Sequence, residues 1–270
     1  MRTDAMTIRA SSLAELFDCP ARWEARHVRG LRLPSSPAAV VGHAVHAGTA
    51  AFDQARINGA PIRIDDAEGV AADALWEEIA RGDVDMSRDV LTPEDLEHIG
   101  RALCRLYCET VSPHYDWAAV EATCDALHIA DIGLTLTGTT DRIYRDPVAG
   151  YGIADIKTGS RAVTKDGTVE TAGHAAQIGV YELLAEASYG VGITAPAVII
   201  GIQAAKTDAA RRAGTGAIEN ARARLVGTEG GPGLLRYAAA MLSSGSFYGN
   251  PRSKLCNKTY CPAWGTCHWR

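Results

Sequence analysis

The chain has 270 residues, of which 47% are hydrophobic and 22% charged, with a formal net charge of −5. That composition excludes wholesale disorder and a fibrous repeat, and the absence of any 18-residue apolar run excludes a helical membrane span. Aromatic residues make up only 6%, so the core must be built from Ala, Val, Leu and Ile. Met1 to Ala10 carries charges and no apolar stretch, which predicts a cytoplasmic protein without a secretory leader.

In chain order, Ser11 reads as an N-cap ahead of Leu13, Leu16 and Phe17, and predicts a helix running toward Arg29 and stopping near Gly30. Pro34, Pro37 and the two serines between them make a loop. Residues 38–55, rich in Ala and Val, read as a buried helix, with further helices over 66–81 and 92–112. Thr92-Pro93-Glu94 supplies a cap and a first-turn proline for the last of these. The pattern then changes to apolar stretches broken at Gly133, Pro147 and Gly150, which predicts strands over about 119–130, 133–145 and 151–157. A polar loop (159–172), a helix (173–189), a buried strand (196–203) and a helical stretch (216–244, interrupted near Gly230, Gly231 and Pro232) complete the order. Helices followed by strands and mixed elements predict an α/β sandwich-like core with a helical N-terminal elaboration.

The charge is uneven. Residues 1–36 hold 6 basic and 4 acidic residues, residues 37–135 hold 6 and 18, residues 136–199 hold 5 and 7, and residues 200–270 hold 10 and 3. Both ends are basic and the middle is acidic. If the ends meet, they form a surface suited to phosphate; a solvated acidic helical region is the plainer reading. Of seven cysteines, Cys256, Cys261 and Cys267 crowd a tail that also holds Pro262, Trp264 and Gly265. Clustered thiols in a reducing compartment point to a metal or an iron–sulfur cluster, with a fourth ligand elsewhere.

Chemistry concentrates at Asp155-Ile156-Lys157, at the end of the third predicted strand. Strand alternation puts Asp155 and Lys157 on one face with Tyr151 and Ile153. Taken alone this is either an ion pair or a site. Asp141 lies on the strand before, and a hairpin would bring it toward Asp155. Two adjacent carboxylates repel unless a cation lies between them, and hard divalent cations favour oxygen ligands. Gly42 and His46 share a helix face, with His43 a competing candidate; Gln177 and Tyr181 share another, where they could simply satisfy each other.

Taken in order, Gly42-x3-His46, Gly138-x2-Asp141, Asp155-x-Lys157-Thr158-Gly159 and Gln177-x3-Tyr181 resemble the RecB-like branch of the PD-(D/E)XK nucleases. Ser11-Ser12-Leu13, Cys19-Pro20 and Trp23, with Cys256, Cys261-Pro262 and Cys267, resemble the iron–sulfur module of AddB-type proteins and CRISPR-associated RecB-like exonucleases. The likeness runs over about 11–267. The proline of the name-giving motif is replaced by Thr140, and the Cys256–Cys261 spacing is wider than in many relatives. No helicase P-loop pattern occurs.

The resemblance implies a restriction-endonuclease-like core, a central mixed sheet flanked by helices, within one nuclease domain: a helical part (11–115), the core (116–245) and a cluster-binding tail (246–270) that closes on Cys19. It implies Mg²⁺ or Mn²⁺ held by His46, Asp141, Asp155 and the Ile156 carbonyl. Lys157 would orient the attacking water, and Gln177 and Tyr181 would support the site. Cys19, Cys256, Cys261 and Cys267 would bind a [4Fe–4S] cluster, with zinc the rival occupant. The implied activity is DNA hydrolysis, as an exonuclease on single strands or accessible ends, in recombination, repair or phage DNA processing, with a helicase or recombination partner and no membrane. A non-catalytic or partner-dependent DNA-binding subunit, or a CRISPR spacer-processing nuclease, is the alternative; the intact acidic set favours an enzyme.

Overall fold

Two strands with opposite burial on alternate residues set the architecture. In β6 (Gly150–Gly159), Ile153 packs into one core while Ala154 and Ile156 pack into another. In β7 (Ala197–Gln203), Ile199 joins the first and Ile200 and Ile202 the second. A strand apolar on both faces belongs in the middle of a sheet covered on both sides. The computed structural model, which describes residues 6–88 and 90–270, places these strands there. Residues 1–5, part of the stretch read as lacking a leader, lie outside the described residues.

The five-stranded sheet has the order β2-β5-β6-β7-β8, with β2 at Asp116–Thr123, β5 at Thr139–Asp146 and β8 at Arg212–Ile218. Only β6 and β7 run parallel; the other pairs are antiparallel. The parallel step is bridged by α6 (Ala175–Tyr189), as a crossover requires. One face of the sheet packs α6 through Ile178, Tyr181 and Leu184. The other packs α3 (Pro37–Ile57), α4 (Ile64–Ala80) and α5 (Pro93–Thr110) through Val41, Ala44, Leu75, Leu103 and Tyr107. Among the described residues no helix is long and apolar enough to cross a membrane.

The mixed sheet between helices agrees with the expected architecture, and the β5–β6 hairpin forms as anticipated. Thr92 caps α5 in a capping box with Asp95. Four expectations need correction. The single N-terminal helix is two, α1 (Leu13–Asp18) and α2 (Pro20–His27), and Ser11 lies in a 3-10 turn rather than at the cap. The break falls at Cys19, held extended at φ −150° and ψ 93° because the following Pro20 disfavours a helical conformation before it. The strand expected over 119–130 divides into β2 and β3 (Leu127–Ile129), and that over 133–145 into β4 (Leu134–Thr137) and β5. β3 and β4 leave the main sheet to form a small one with β1 (Met6–Arg9), which no expectation included.

The fourth correction concerns the stretch over 216–244. Its start is the edge strand β8; a short helix, α7 (Ala221–Val226), and α8 (Leu234–Ser244) follow. β8 reads poorly because Gly214 and Gly216 lower its strand propensity. Their lack of a side chain has a cause: a Cβ on Gly214 would sit 2.7 Å from the Gly167 carbonyl oxygen, and one on Gly216 2.6 Å from the Thr171 methyl. The polar loop after β6 lies against the strand at these points.

After α8 the chain has no further helix or strand. Tail residues bond back to the first helices: Asn250 Nδ2 donates to the Asp18 carbonyl (2.9 Å), Ser253 Oγ to the Asp18 carboxylate (2.6 Å), and the Ala21 amide to the Tyr248 carbonyl (3.0 Å).

Candidate active site

β5 and β6 pair Arg142 with Ala154, which sets Asp141 beside Asp155 and Ile156. Asp141 Oδ2 accepts the Ile156 amide at 2.7 Å, fixing one carboxylate oxygen and leaving the other free to turn outward. His46 comes from the middle of α3. Its Nε2 lies 3.1 Å from the Ile156 carbonyl, and its Nδ1 lies 3.7 Å from Asp141 and 3.9 Å from Glu121. A close approach of α3 to the sheet makes this reach feasible. A Cβ on Gly42 would already lie 3.0 Å from the Thr158 hydroxyl.

Glu121 escaped the sequence reading. It sits on β2 between Val120 and Ala122, whose partners Arg142 and Thr140 flank Asp141, so it stands opposite that residue. Its φ is +44°, a left-handed conformation costing a residue with a Cβ about 1–2 kcal/mol. The twist occurs where the carboxylate turns toward Asp141 and His46. One ligand atom from each of His46, Glu121 and Asp141 can be chosen so that all lie within 4.8 Å. The strand pattern alone gave no reason to choose a partly exposed Glu on a β-strand; the strained backbone is the signal, and it is visible only in three dimensions.

Asp155 is 1% exposed. Its Oδ1 accepts from Gln177 Nε2 at 3.2 Å. Its Oδ2 stands 2.7 Å from the Lys157 ammonium and has no other polar partner among the described residues. Burial, and then the charge of Asp141, push the Asp155 carboxyl up to about 6, against the opposing pull of Lys157. His46 is raised as well: burial disfavours its charge, and the carboxylates of Glu121 and Asp141 outweigh it. Three carboxylates gather here, with Lys157 beside Asp155 and Arg142 at 3.4 Å from Glu121. Carboxylates with an imidazole are a ligand set for Mg²⁺ or Mn²⁺.

Gln177 links the groups. Besides Asp155, its Oε1 accepts from Lys157 at 3.2 Å and its Nε2 donates to Tyr181 at 2.9 Å. Tyr181 is buried, and a Cβ on Gly138 would lie 3.0 Å from its ring. The structure therefore brings His46, Asp141, Asp155, Ile156, Lys157, Gln177 and Tyr181 together, with Glu121 added. His43 points elsewhere, its Nδ1 2.9 Å from Glu78.

Cys19, Cys256, Cys261 and Cys267 line a separate cavity of about 250 Å³ beneath the tail. Burial and then the neighbouring cysteines raise the thiols of Cys256 and Cys261. Cys19 Sγ accepts the Asn250 amide at 3.4 Å. Cys104, Cys108 and Cys124 are buried apart from these.

A parallel pair at the centre of a mixed sheet, with an acidic cluster and Asp-x-Lys at its strand ends, defines a class of phosphodiesterases. The sequence profile of the PD-(D/E)XK nuclease superfamily matches residues 7–268, and the chain belongs to that superfamily. Among solved structures, the fold is similar to that of a provisionally assigned exonuclease from Eubacterium rectale. The two are 13% identical over 94% of this chain and 87% of that one, with a TM-score of 0.55. A second structure, of the protein SSO0001, is 14% identical over 97% and 85% of the two chains, with a TM-score of 0.41. No curated protein matches the sequence.

Proposed function

We propose that this protein is a divalent-metal-dependent DNA nuclease that works as an exonuclease on single strands or accessible ends, within cytoplasmic DNA recombination, repair or phage DNA processing. The observation that carries the reading is the convergence of His46, Glu121 and Asp141 on one point beside the Asp155–Lys157 pair. His46, Asp141, Asp155, the Ile156 carbonyl and Glu121 are the residues that would hold Mg²⁺ or Mn²⁺. His46 meets the two carboxylates through Nδ1 and the Ile156 oxygen through Nε2, so a flip of the imidazole would turn Nε2 toward the carboxylates. When bound, such an ion polarises the scissile phosphate and lets a water attack at neutral pH.

The chain's own groups do the rest. Lys157 holds an ammonium at the edge of the carboxylates, where it positions the attacking water and neutralises charge growing on the phosphate. Gln177 keeps Lys157 and Asp155 at a fixed separation, and Tyr181 fixes Gln177. Asp141 spends one oxygen on the Ile156 amide, which prevents its rotation. The basic tail docks on the N-terminal stretch, which holds 6 basic and 4 acidic residues over 1–36, and this supports a phosphate-binding surface where the two ends meet.

The four cysteines around the tail cavity fit the AddB-type iron–sulfur module. Zinc held by the same thiols is the rival occupant. The Asn250 amide bonded to Cys19 is the kind of donor that such ligands accept.

The test is anaerobic purification followed by digestion of end-labelled linear and covalently closed DNA with Mg²⁺, Mn²⁺ or EDTA, beside Lys157→Ala. Metal-dependent loss of linear DNA only, abolished in the variant, is the expected result. Folded protein with no cleavage of any DNA form would move the assignment to a partner-dependent DNA-binding subunit. Iron and sulfide near four each per chain are expected; one zinc per chain would overturn the cluster.

A further inference from the structure

Behind the acidic cluster lies a charge network that the expected chemistry does not use. Arg142 and Asp53 are both fully buried, and Arg142 Nε donates to Asp53 Oδ2 at 2.7 Å. Asp53 has two further donors, the Tyr107 hydroxyl on the same oxygen at 2.6 Å and the Ser112 hydroxyl on Oδ1 at 2.5 Å. An arginine that served only to neutralise Asp53 would need no further partners. This one spends its remaining nitrogens on the site. Nη1 donates to the Asp141 carbonyl at 2.7 Å and reaches Glu121 Oε1 at 3.4 Å. Nη2 donates to Thr49 Oγ1 at 3.1 Å, and the Thr49 hydroxyl donates to the His46 carbonyl at 3.2 Å.

From these contacts we infer that Arg142 is a positioning residue that holds Glu121, and through it the divalent-ion site, in place. The inference rests on the reading of His46, Glu121 and Asp141 as that site. One guanidinium touches Glu121 directly, Asp141 through its backbone and His46 through Thr49. Among the described residues the other side-chain contact of Glu121 is a long one, 3.9 Å to His46, and its carboxylate is half exposed, so Arg142 is the firmer hold on a residue with a strained φ. A planar fork of five donors can serve these directions at once, and a lysine's point charge cannot. Asp53 balances the permanent charge of Arg142, so the guanidinium can stand next to a cation site without repelling its occupant.

The experiment measures Mn²⁺ binding to the metal-stripped full chain, without DNA, by titration calorimetry and electron paramagnetic resonance. The variants are Arg142→Lys, Glu121→Gln and the two combined, each checked for folding by circular dichroism. Tyr107→Phe is the control, because it disturbs the same buried network without touching Glu121. Arg142→Lys is expected to weaken Mn²⁺ roughly tenfold or more. In the Glu121→Gln background the same change should add less than about threefold, and Tyr107→Phe should leave affinity within about twofold of the wild type. If Arg142→Lys does not fold, Asp53→Asn, which keeps the shape but loosens the anchor, is expected to weaken Mn²⁺ in the same direction. Unchanged affinity in the arginine variant, or an equal loss with and without Glu121, would assign Arg142 to the core alone while the ion site stood. A wild-type chain that binds no Mn²⁺ would overturn the ion site itself, and this inference with it.

Discussion

The acidic site and the cysteine tail are built in opposite ways. The acidic site draws each group from a regular element with its own core behind it: His46 from α3, Glu121 from β2, Asp141 from β5, Asp155 and Lys157 from β6, Gln177 from α6. Its buried members are cross-linked by hydrogen bonds, and the network continues inward to Asp53 and Arg142. The tail has turns only, and its buried apolar residues are Cys261 and Ala263, which pack with Trp264 against Ala25 of α2 and Leu31. The first arrangement stands ready before its ion arrives. The second is held by a few hydrogen bonds to Asp18 and Ala21, and the proposed metal at its cysteines would add a staple across the long loop between them.

The sharpest break in this comparison is Asp141→Ala. It removes a carboxylate at the meeting point of two strands, yet the strand pairing that carries it runs from Arg142 through Asp146. Cleavage of linear DNA should fall at least about a thousandfold while the melting temperature moves by only a few degrees. A collapsed fold would show that the hairpin depends on the carboxylate.

Asp53→Ala should act on the fold as well as on the site. It leaves Arg142 buried without its counter-ion, which costs about 3–5 kcal/mol. For a chain of this size that lowers the melting temperature by roughly 10 °C, measured by calorimetry in EDTA. A loss below about 1 kcal/mol would mean that water or a shifted carboxylate takes up the charge.

Cys261→Ser tests the other region. The expected loss is local: colour disappears, and limited proteolysis cuts within residues 246–270 at least about tenfold faster, while the main thermal transition shifts by less than in Asp53→Ala. Melting of tail and core in one step would show that the tail is part of the cooperative unit.

The contrast also explains what the sequence revealed. The candidate acidic site was readable because spacing paired Asp155 with Lys157 on a strand and Gln177 with Tyr181 on a helix, and because the order of these motifs resembles a known family. Glu121 was hidden because its orientation comes from a left-handed residue inside a strand, which no periodicity encodes. β8 was hidden because its glycines answer to a loop packed on them, and a helical reading of the following residues spread over it. Arg142 was legible as the neighbour of Asp141 and nothing more, since its role depends on a partner 89 residues away. The tail's cysteines were conspicuous, but their chemistry depends on spacing in space rather than along the chain.

The smallest expected effect separates stability from function within the acidic site. Asp155 is a carboxylate that the folded protein holds at a disadvantage: burial and the neighbouring Asp141 raise it to about 6, against the pull of Lys157. An amide in its place removes the charge and keeps the acceptor for Gln177. Without metal at neutral pH, Asp155→Asn should therefore stabilise the protein by about 1–3 kcal/mol, even though the change gives up the Lys157 ion pair. Adding Mn²⁺ should reverse the order. A ligand that binds only the folded state raises the melting temperature in proportion to its affinity, and the wild type has the better site. The paired scans, in EDTA and in Mn²⁺, settle the matter in one experiment. If the wild type is the more stable protein in EDTA, Lys157 compensates the buried charge fully, and the site is an internal ion pair that does not need a cation.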